Sequence, residues 1–261
     1  MTRSWLFGPG HNERILSKVF DCGADEVLLD LEDAVPPDLK PRARSMVVEA
    51  LGSHPAWVRV NRAQTELGAA DLAAVAGLAR GIRLPKVESA AEVAWARERA
   101  PGLPITATIE SALGVLAGLE IARSGVVNLA YGGADLALDL NIDEAGEEES
   151  LYARSHLVLV CAAAGIEPPS DGVHTSLQDD EGLRRAAARA RRLGFFGKSA
   201  IHPRQVPIIN EVFSASPEEK AWAEAVLAAF ERSGGAATRL EDGTFIDIPI
   251  AERARRLLAT N

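Results

Sequence analysis

The chain reads as an α/β protein, a TIM (β/α)8 barrel with an additional C-terminal helix and a lid-like tail, and three observations predict it. Short apolar runs alternate with amphipathic segments at a spacing of about 25 to 30 residues, the rhythm of repeated βα units. Eight alternations fill about 215 residues, inside the range of compact barrels, whose floor is about 200. No G-x-G-x-x-G follows the first strand, and Gly8-Pro9-Gly10 sets a proline where a phosphate-binding turn needs an amide, which argues against an open doubly wound sheet.

The strands are expected at residues 4–7, 26–31, 56–61, 81–85, 104–109 and 126–131, weakly at 168–172, and at 194–199. Each is a short apolar run followed by a segment of helical periodicity, at 12–20, 41–51, 69–79, 90–100, 112–122, 149–164, 179–193 and 203–212. Ser216-Pro217-Glu218-Glu219 then starts a ninth helix, with serine at the cap, proline in the first turn and acids near the positive dipole end. It runs to about residue 231. Ser233-Gly234-Gly235 forms a hinge, 238–248 a hairpin turning at Asp242-Gly243, and 250–258 a short helix. Residues 1–215 are expected to be the catalytic barrel and 216–261 the helix and lid segment.

Hydrophobic residues make up 47% of the 261, enough for one large core, and the longest apolar runs fall far below the roughly 18 residues of a membrane span. The N-terminus lacks the apolar stretch and cleavage site of a secretory leader, so a cytoplasmic protein without a membrane partner is expected. Cys22 and Cys161 are too few for a disulfide framework or a zinc cage, and each lies in an apolar helical pattern suited to a reduced core residue. The formal charge of -9 disfavours nucleic acid, which is bound by clustered Lys and Arg.

Barrel sites form at the carboxyl ends of the strands, and here those ends are charged. The second strand closes on Asp30-Leu31-Glu32-Asp33, the third carries Arg59 and Asn61, and the fourth ends Pro85-Lys86-Val87-Glu88. The fifth ends Glu110-Ser111, the sixth leads into Gly132-Gly133-Ala134-Asp135, and the eighth carries Lys198-Ser199. Glu110 and Asp135 close neighbouring strands about 4.8 Å apart, so both carboxylates can reach one ion. A hard cation such as Mg2+ takes one or two carboxylates, keeps water and leaves positions for substrate oxygens. The five histidines lack the H-x-x-x-H spacing that suits zinc. Mg2+ is therefore expected, with Mn2+ as a substitute; the alternative is that Glu110 and Asp135 merely cap the segments they precede. Arg59 suits a carboxylate or carbonyl, or else bridges to Asp30 or Glu32 in the barrel floor. The amides of Gly132 and Gly133 are open to a substrate carboxylate, or form a plain turn. Lys86 makes an ion pair among the carboxylates, or a Schiff base if buried and deprotonated.

Seven segments carry a resemblance: Trp5-Leu6-Phe7-Gly8-Pro9-Gly10, Leu29-Asp30-Leu31-Glu32-Asp33-Ala34-Val35, Val58-Arg59-Val60-Asn61, Leu84-Pro85-Lys86-Val87-Glu88-Ser89, Ile109-Glu110-Ser111-Ala112, Gly132-Gly133-Ala134-Asp135-Leu136 and Gly197-Lys198-Ser199-Ala200-Ile201-His202-Pro203. In that order they resemble the HpcH/HpaI aldolase superfamily, in particular citrate lyase β subunits and the malyl-CoA and citramalyl-CoA lyases, over nearly the whole chain. The resemblance implies a Mg2+-dependent carbon-carbon lyase that cleaves or condenses a 3-hydroxyacyl thioester, such as citryl-, citramalyl- or malyl-CoA, into an acetyl thioester and a keto acid. The thiol is coenzyme A or a carrier's phosphopantetheine.

The same resemblance implies Glu110 and Asp135 as metal ligands, with Glu110 also against the substrate. It implies Arg59 on the oxygen of the keto-acid half, with Glu32 beside it in the catalytic set, and the ribose and phosphate end of coenzyme A near Lys18, Lys40, Arg44 and Lys198. Asp247-Ile248-Pro249 matches a tail whose aspartate reaches into an adjacent subunit's site, so a homotrimer or hexamer is implied; citrate lyase carrier and transferase subunits are further partners it would allow. Relatives usually carry a larger or acidic residue where this chain has Ala134, which leaves open what holds the substrate's outer carboxylate. Two other readings remain. A pyruvate-enolate aldolase acting on free keto acids is opposed by the basic residues and the tail, and a non-catalytic CoA-binding subunit by the intact Glu110, Asp135 and Arg59.

Overall fold

The computed structural model describes residues 1–143 and 148–259. Its elements run β1 (Ser4–Pro9), α1 (Glu13–Leu16), β2 (Glu26–Asp30), α2 (Lys40–Leu51), β3 (Trp57–Arg59), α3 (Glu66–Val75), β4 (Gly81–Leu84), α4 (Ala90–Arg99) and β5 (Ile105–Ile109). They continue α5 (Ala112–Leu116), α6 (Gly118–Ala122), β6 (Asn128–Tyr131), α7 (Gly133–Leu140), α8 (Leu151–Ala164), α9 (Asp180–Leu193), β7 (Lys198–Ala200) and α10 (Gln205–Phe213). Last come α11 (Pro217–Arg232), β8 (Thr238–Arg239), β9 (Phe245–Ile246) and α12 (Ile248–Ala259).

Seven strands form one parallel sheet in the order β6-β5-β4-β3-β2-β1-β7. The weak run at 168–172 is not a strand. It makes two isolated parallel bridges, Ala130 with Ser170 and Asp171 with Lys198. Pro168 and Pro169 have no amide to donate, which keeps that ladder short.

Register and side-chain alternation place Trp5, Phe7, Leu28, Trp57, Arg59, Gly81, Arg83, Thr106, Thr108, Asn128 and Ser199 on one face. The Arg83 guanidinium of β4 lies 4.5 Å from the Trp5 ring of β1 and donates to Ser199 Oγ of β7 at 3.3 Å. Those strands stand three and four places away in the sheet order, about 14 Å or more if the sheet were flat. The sheet therefore curls around this face. Trp5 and Trp57 meet edge to face there, with centroids 5.1 Å apart, and pack with Leu28 into an apolar plug. On the opposite face Leu6, Leu29, Val58, Ile82, Ile105 and Leu129 are buried under the helices, as expected of a parallel sheet covered on both sides.

Three local departures from the sequence reading have physical causes. The helix expected at 112–122 is two short helices, because the backbone leaves the helical region at Ala117. A helix unforeseen behind the two glycines, α7, follows β6 directly and places Asp135 in its first turn. Cys22 is only partly buried and lies outside any α-helix, its thiol donating to Lys18 O, so of the two free cysteines only Cys161 is a core residue.

The chain divides into two compact units, Met1–Asn210 and Glu211–Asn261. In the second, Ser216 and Glu219 cap α11 reciprocally, as their spacing predicts. β8 and β9 pair antiparallel about Asp242-Gly243 through Thr238 with Ile246 and Arg239 with Phe245. The last helix starts earlier than its apolar pattern suggested because the Asp247 carboxylate accepts the Ile250 amide and caps it. Val226 and Phe230 pack against Ile246, Ala251 and Ala254. Among the described residues no helix is long and apolar enough to cross a membrane.

The inner plug is tight at one glycine. A Cβ on Gly81 would sit 2.6 Å from ring atoms of Trp57. Gly81→Ala is expected to cost about 1–3 kcal/mol in urea unfolding, the range of an overpacked core. An unchanged midpoint would show that the Trp57 ring has room to move.

Candidate active site

A cavity of about 600 Å3 opens at the carboxyl ends of the strands and is lined by Phe7, Arg59, Arg83, Thr108, Glu110, residues 130–135, Arg154, Asp171, Lys198 and Ser199 among others. Arg59, at the end of β3, donates from Nε and Nη2 to the two oxygens of Asp30, both at 2.7 Å, and its Nη1 lies 3.1 Å from Glu32 Oε2. Its guanidinium stands 4.8 Å from the Phe7 ring. Burial opposes the charge on Arg59, but the Asp30 hydrogen bonds, with Glu32 and Asp33 beyond them, outweigh it and raise its pKa. Arg59 thus forms the internal salt bridge that one of its two readings expected, and that pairing leaves two of its five N–H donors over.

Lys86 organises the other side. Its ammonium pairs with Glu32 and, at 2.9 Å, with Asp33. Burial works against that charge too, but the two carboxylates hold the pKa above its usual value. The amine stays protonated, which suits an ion pair and not a Schiff base. Its backbone has φ 52°, the left-handed region seldom adopted by a side-chain-bearing residue and worth about 1–3 kcal/mol of strain. That turn directs the Lys86 amide at Glu110 Oε1, 2.6 Å away.

Glu110 caps nothing. Ser111 does that, its hydroxyl accepting the Gly114 amide at the start of α5. Burial first, and then the charge of Asp135, push the Glu110 carboxyl up to about 7. Gly132 makes the room: a Cβ there would lie 2.3 Å from Glu110 Oε2. Its amide, expected to face substrate, instead donates to Ile109 O at 3.0 Å and closes the β5–β6 ladder. The donors next to the cavity are the first-turn amides of α7, from Gly133 onward, which have no intrahelical acceptor.

Among the described residues no cluster of three or more His, Cys, Asp or Glu ligands exists. Mg2+ needs none, since it is commonly held by one or two carboxylates and completes its shell from water and substrate. A buried carboxylate whose charge is opposed by its neighbour Asp135 is the kind of site that a divalent cation relieves, so Glu110 and Asp135 fit the ion.

The basic residues expected along coenzyme A are placed differently. The Lys40 ammonium is buried and donates to Leu31 O, Glu32 O and Asn61 Oδ1 at 3.0, 2.9 and 2.7 Å, so its three protons are used. Arg44 Nε donates to Asp71 at 2.7 Å, and Asp71 also accepts the Asn61 amide at 2.8 Å. Lys198 pairs with Asp171 at 2.6 Å. Lys40 thus braces the loops after β2 and β3, Arg44 ties α2 to α3, and Lys198 ties β7 to the bridge segment, while Lys18 is the one of the four that is exposed. Sequence reasoning missed Asp171, which also pairs with Arg154 at 2.9 Å, and Arg83. A charged residue inside the apolar run Ile82-Arg83-Leu84-Pro85 was the available signal for the second.

The model of the HpcH/HpaI aldolase/citrate lyase family matches residues 3–203. The chain belongs to that family. It is 38% identical to a (3S)-malyl-CoA thioesterase of Cereibacter sphaeroides, over 98% of this chain and 93% of the relative. It is 35% identical to the citrate lyase subunit beta of Leuconostoc mesenteroides subsp. cremoris, over 99% and 92%. Among solved structures, the CitE protein of Mycobacterium tuberculosis in complex with magnesium, acetoacetate and coenzyme A superposes with a TM-score of 0.86 at 34% identity, covering 98% of this chain and 97% of the other. The citrate lyase beta subunit of the same organism, complexed with oxaloacetate and magnesium, gives 0.73 at 33%, covering 81% and 96%.

For this family member the raised Glu110 carboxyl sets a measurable pH dependence. The folded chain holds the Glu110 proton up to about 7, against 4.5 for an ordinary glutamate, so between those values the folded state binds more protons and stability falls as pH rises. Glu110→Gln, which still accepts the Lys86 amide, is expected to be more stable than the native chain at pH 8 in chelator, by up to about 3 kcal/mol. The difference should close below about pH 4.5. Equal urea midpoints at pH 8 would show that the Glu110 charge is already compensated.

Proposed function

We propose that the chain is a Mg2+-dependent carbon-carbon lyase of 3-hydroxyacyl thioesters of coenzyme A, built on a TIM barrel that the bridge segment around Ser170 and Asp171 closes between β6 and β7. The observation that carries the reading is the convergence of Glu110 and Asp135 on one cavity with Arg59, whose guanidinium is locked by Asp30. The relatives named for citrate lyase, and the solved structure holding magnesium and coenzyme A, support it.

Glu110 and Asp135 would hold magnesium, which would supply Lewis-acid polarisation of the substrate oxygen that becomes the ketone. Arg59 aims its remaining donors at that oxygen and stabilises the charge that grows there. Its orientation comes from Asp30, and Glu32, shared with Lys86, keeps it from rotating away. The first-turn amides of α7 hold the adjoining carboxylate at a helix N-terminus. As the hydroxyl proton passes to water, the carbon-carbon bond breaks and its electron pair passes to the acetyl thioester as an enolate. Asp247 of an adjacent subunit in a homotrimer or hexamer protonates that carbon. Lys18 lies toward the phosphates of coenzyme A, while Lys40, Arg44 and Lys198 stiffen the loops behind it. The protein works in the cytoplasm, alone or with carrier and transferase subunits.

A second reading, hydrolysis of the thioester itself, is favoured by the (3S)-malyl-CoA thioesterase relatives. Incubating acetyl-CoA with glyoxylate, pyruvate or oxaloacetate and Mg2+ separates the two. A lyase forms a 3-hydroxyacyl thioester with coenzyme A still attached, whereas a thioesterase leaves that mixture unchanged and releases free thiol only when supplied with the 3-hydroxyacyl thioester itself. Activity is expected to vanish in EDTA and return with Mg2+ or Mn2+. Turnover in EDTA, or a Lys86 imine trapped by borohydride, would sink the metal mechanism.

Mixed oligomers test the tail. Asp247→Ala is expected to keep Mg2+ affinity and lower turnover by about 10²- to 10⁴-fold, the range of a lost general acid. Combining inactive Asp247→Ala subunits with inactive Glu110→Ala subunits should restore activity at sites built from two chains. No recovery in oligomers shown to be mixed would rule out sharing.

A further inference from the structure

The inside of a barrel sheet is ordinarily filled by branched apolar side chains. Here Arg83, Thr106, Thr108, Asn128 and Ser199 share that face. Thr106 and Asn128 satisfy each other, the hydroxyl donating to Asn128 Oδ1 at 2.6 Å. Arg83 is not satisfied. It is 2% exposed, its Nη1 donates to Ser199 Oγ at a long 3.3 Å, and its Nε and Nη2 have no hydrogen-bond partner. The hydroxyl of Thr108, also buried, has none either. The Trp5 ring 4.5 Å below the guanidinium orients it but leaves those in-plane donors idle. Burial and the repulsion of Arg59 push its pKa down to about 9, which leaves it charged at neutral pH.

Arg59, Arg154 and Lys198 line the same cavity, and each already pairs with a carboxylate. Arg83 lines it too and has no such partner. A buried guanidinium with idle donors is costly unless an anion completes it. We propose that Arg83, Thr108 and Ser199 form a carboxylate subsite at the inner end of the cavity that takes the outer carboxylate of the substrate's acid half, so that the keto acid is a 2-oxo dicarboxylate and not a 2-oxo monocarboxylate. Ala134 brings no charge to that task, and Arg185 and Arg189 of α9, which also line the cavity, are not buried as Arg83 is. The inference rests on the lyase reading for its substrate class.

Calorimetric titration of the full-length, Mg2+-loaded protein with oxaloacetate and with pyruvate tests it by binding, apart from turnover. The native chain is expected to bind oxaloacetate about 30-fold more tightly, as charge-assisted hydrogen bonds allow. Arg83→Met should bring the ratio below about 3, Arg83→Lys should retain part of it, and the isosteric Thr108→Val should lower it about 3- to 10-fold. Thermal midpoints verify folding, and Thr108→Val carries the test if Arg83→Met does not fold. A native ratio near 1, or equal losses for both acids in the variants, would overturn the subsite. Turnover with pyruvate or glyoxylate but no preference for oxaloacetate sinks the subsite and leaves the lyase; a preference without carbon-carbon cleavage or condensation sinks the lyase and leaves the subsite.

Discussion

Five carboxylates, Asp30, Glu32, Asp33, Glu110 and Asp135, converge where the parallel strands end, and the fold must hold them there against their mutual repulsion. Lys86 is the piece on which that depends. Its side chain neutralises Glu32 and Asp33, its amide anchors Glu110, and its left-handed backbone is what lets one residue do both. Glu32 in turn holds Arg59, which Asp30 grips in a two-point fork. The cluster is short of positive charge, and burial beside Asp135 leaves the Glu110 carboxyl raised despite the Lys86 amide. That deficit is what the magnesium ion proposed at Glu110 and Asp135 would relieve.

The sheet interior divides the labour. Near the amino ends, Trp5, Leu28 and Trp57 fill the space, and the close approach of Trp57 to Gly81 leaves no slack. Toward the carboxyl ends the same face turns polar and opens into the cavity. Burying Arg83 without a carboxylate partner costs stability that an apolar residue would not, a cost that the carboxylate of the proposed subsite would offset. Stability and recognition thus occupy opposite ends of one set of strands, separated by about two residues of register.

Lys40 and Arg44 behind the site, and Lys198 in its wall, act as internal struts. Lys40 joins the loops after β2 and β3 through the Leu31 and Glu32 carbonyls and Asn61, Arg44 ties α2 to Asp71 of α3, and Lys198 of β7 holds Asp171 of the bridge segment. Basic residues at strand ends look alike in a sequence whether they face phosphate or carbonyl oxygen. Burial alone distinguishes them, and burial is a property of the packed loops.

The order of the first six strands, the charged strand ends, the placing of Glu110 and Asp135 just after the adjacent strands β5 and β6, and the Ser216 capping box were all legible in the sequence, because each depends on spacing along one or two neighbouring elements. The family resemblance was legible for the same reason, since its motifs are local. What the tertiary structure decided involves residues brought together across many strands. The Gly132 amide belongs to the sheet ladder and its missing Cβ to Glu110; the weak run at 168–172 is held by two bridges; and Arg83 reaches from β4 to β1 and β7. Local sequence sets which groups stand at the end of each strand, but the curl of the sheet determines which of those groups find partners and which are left for a ligand.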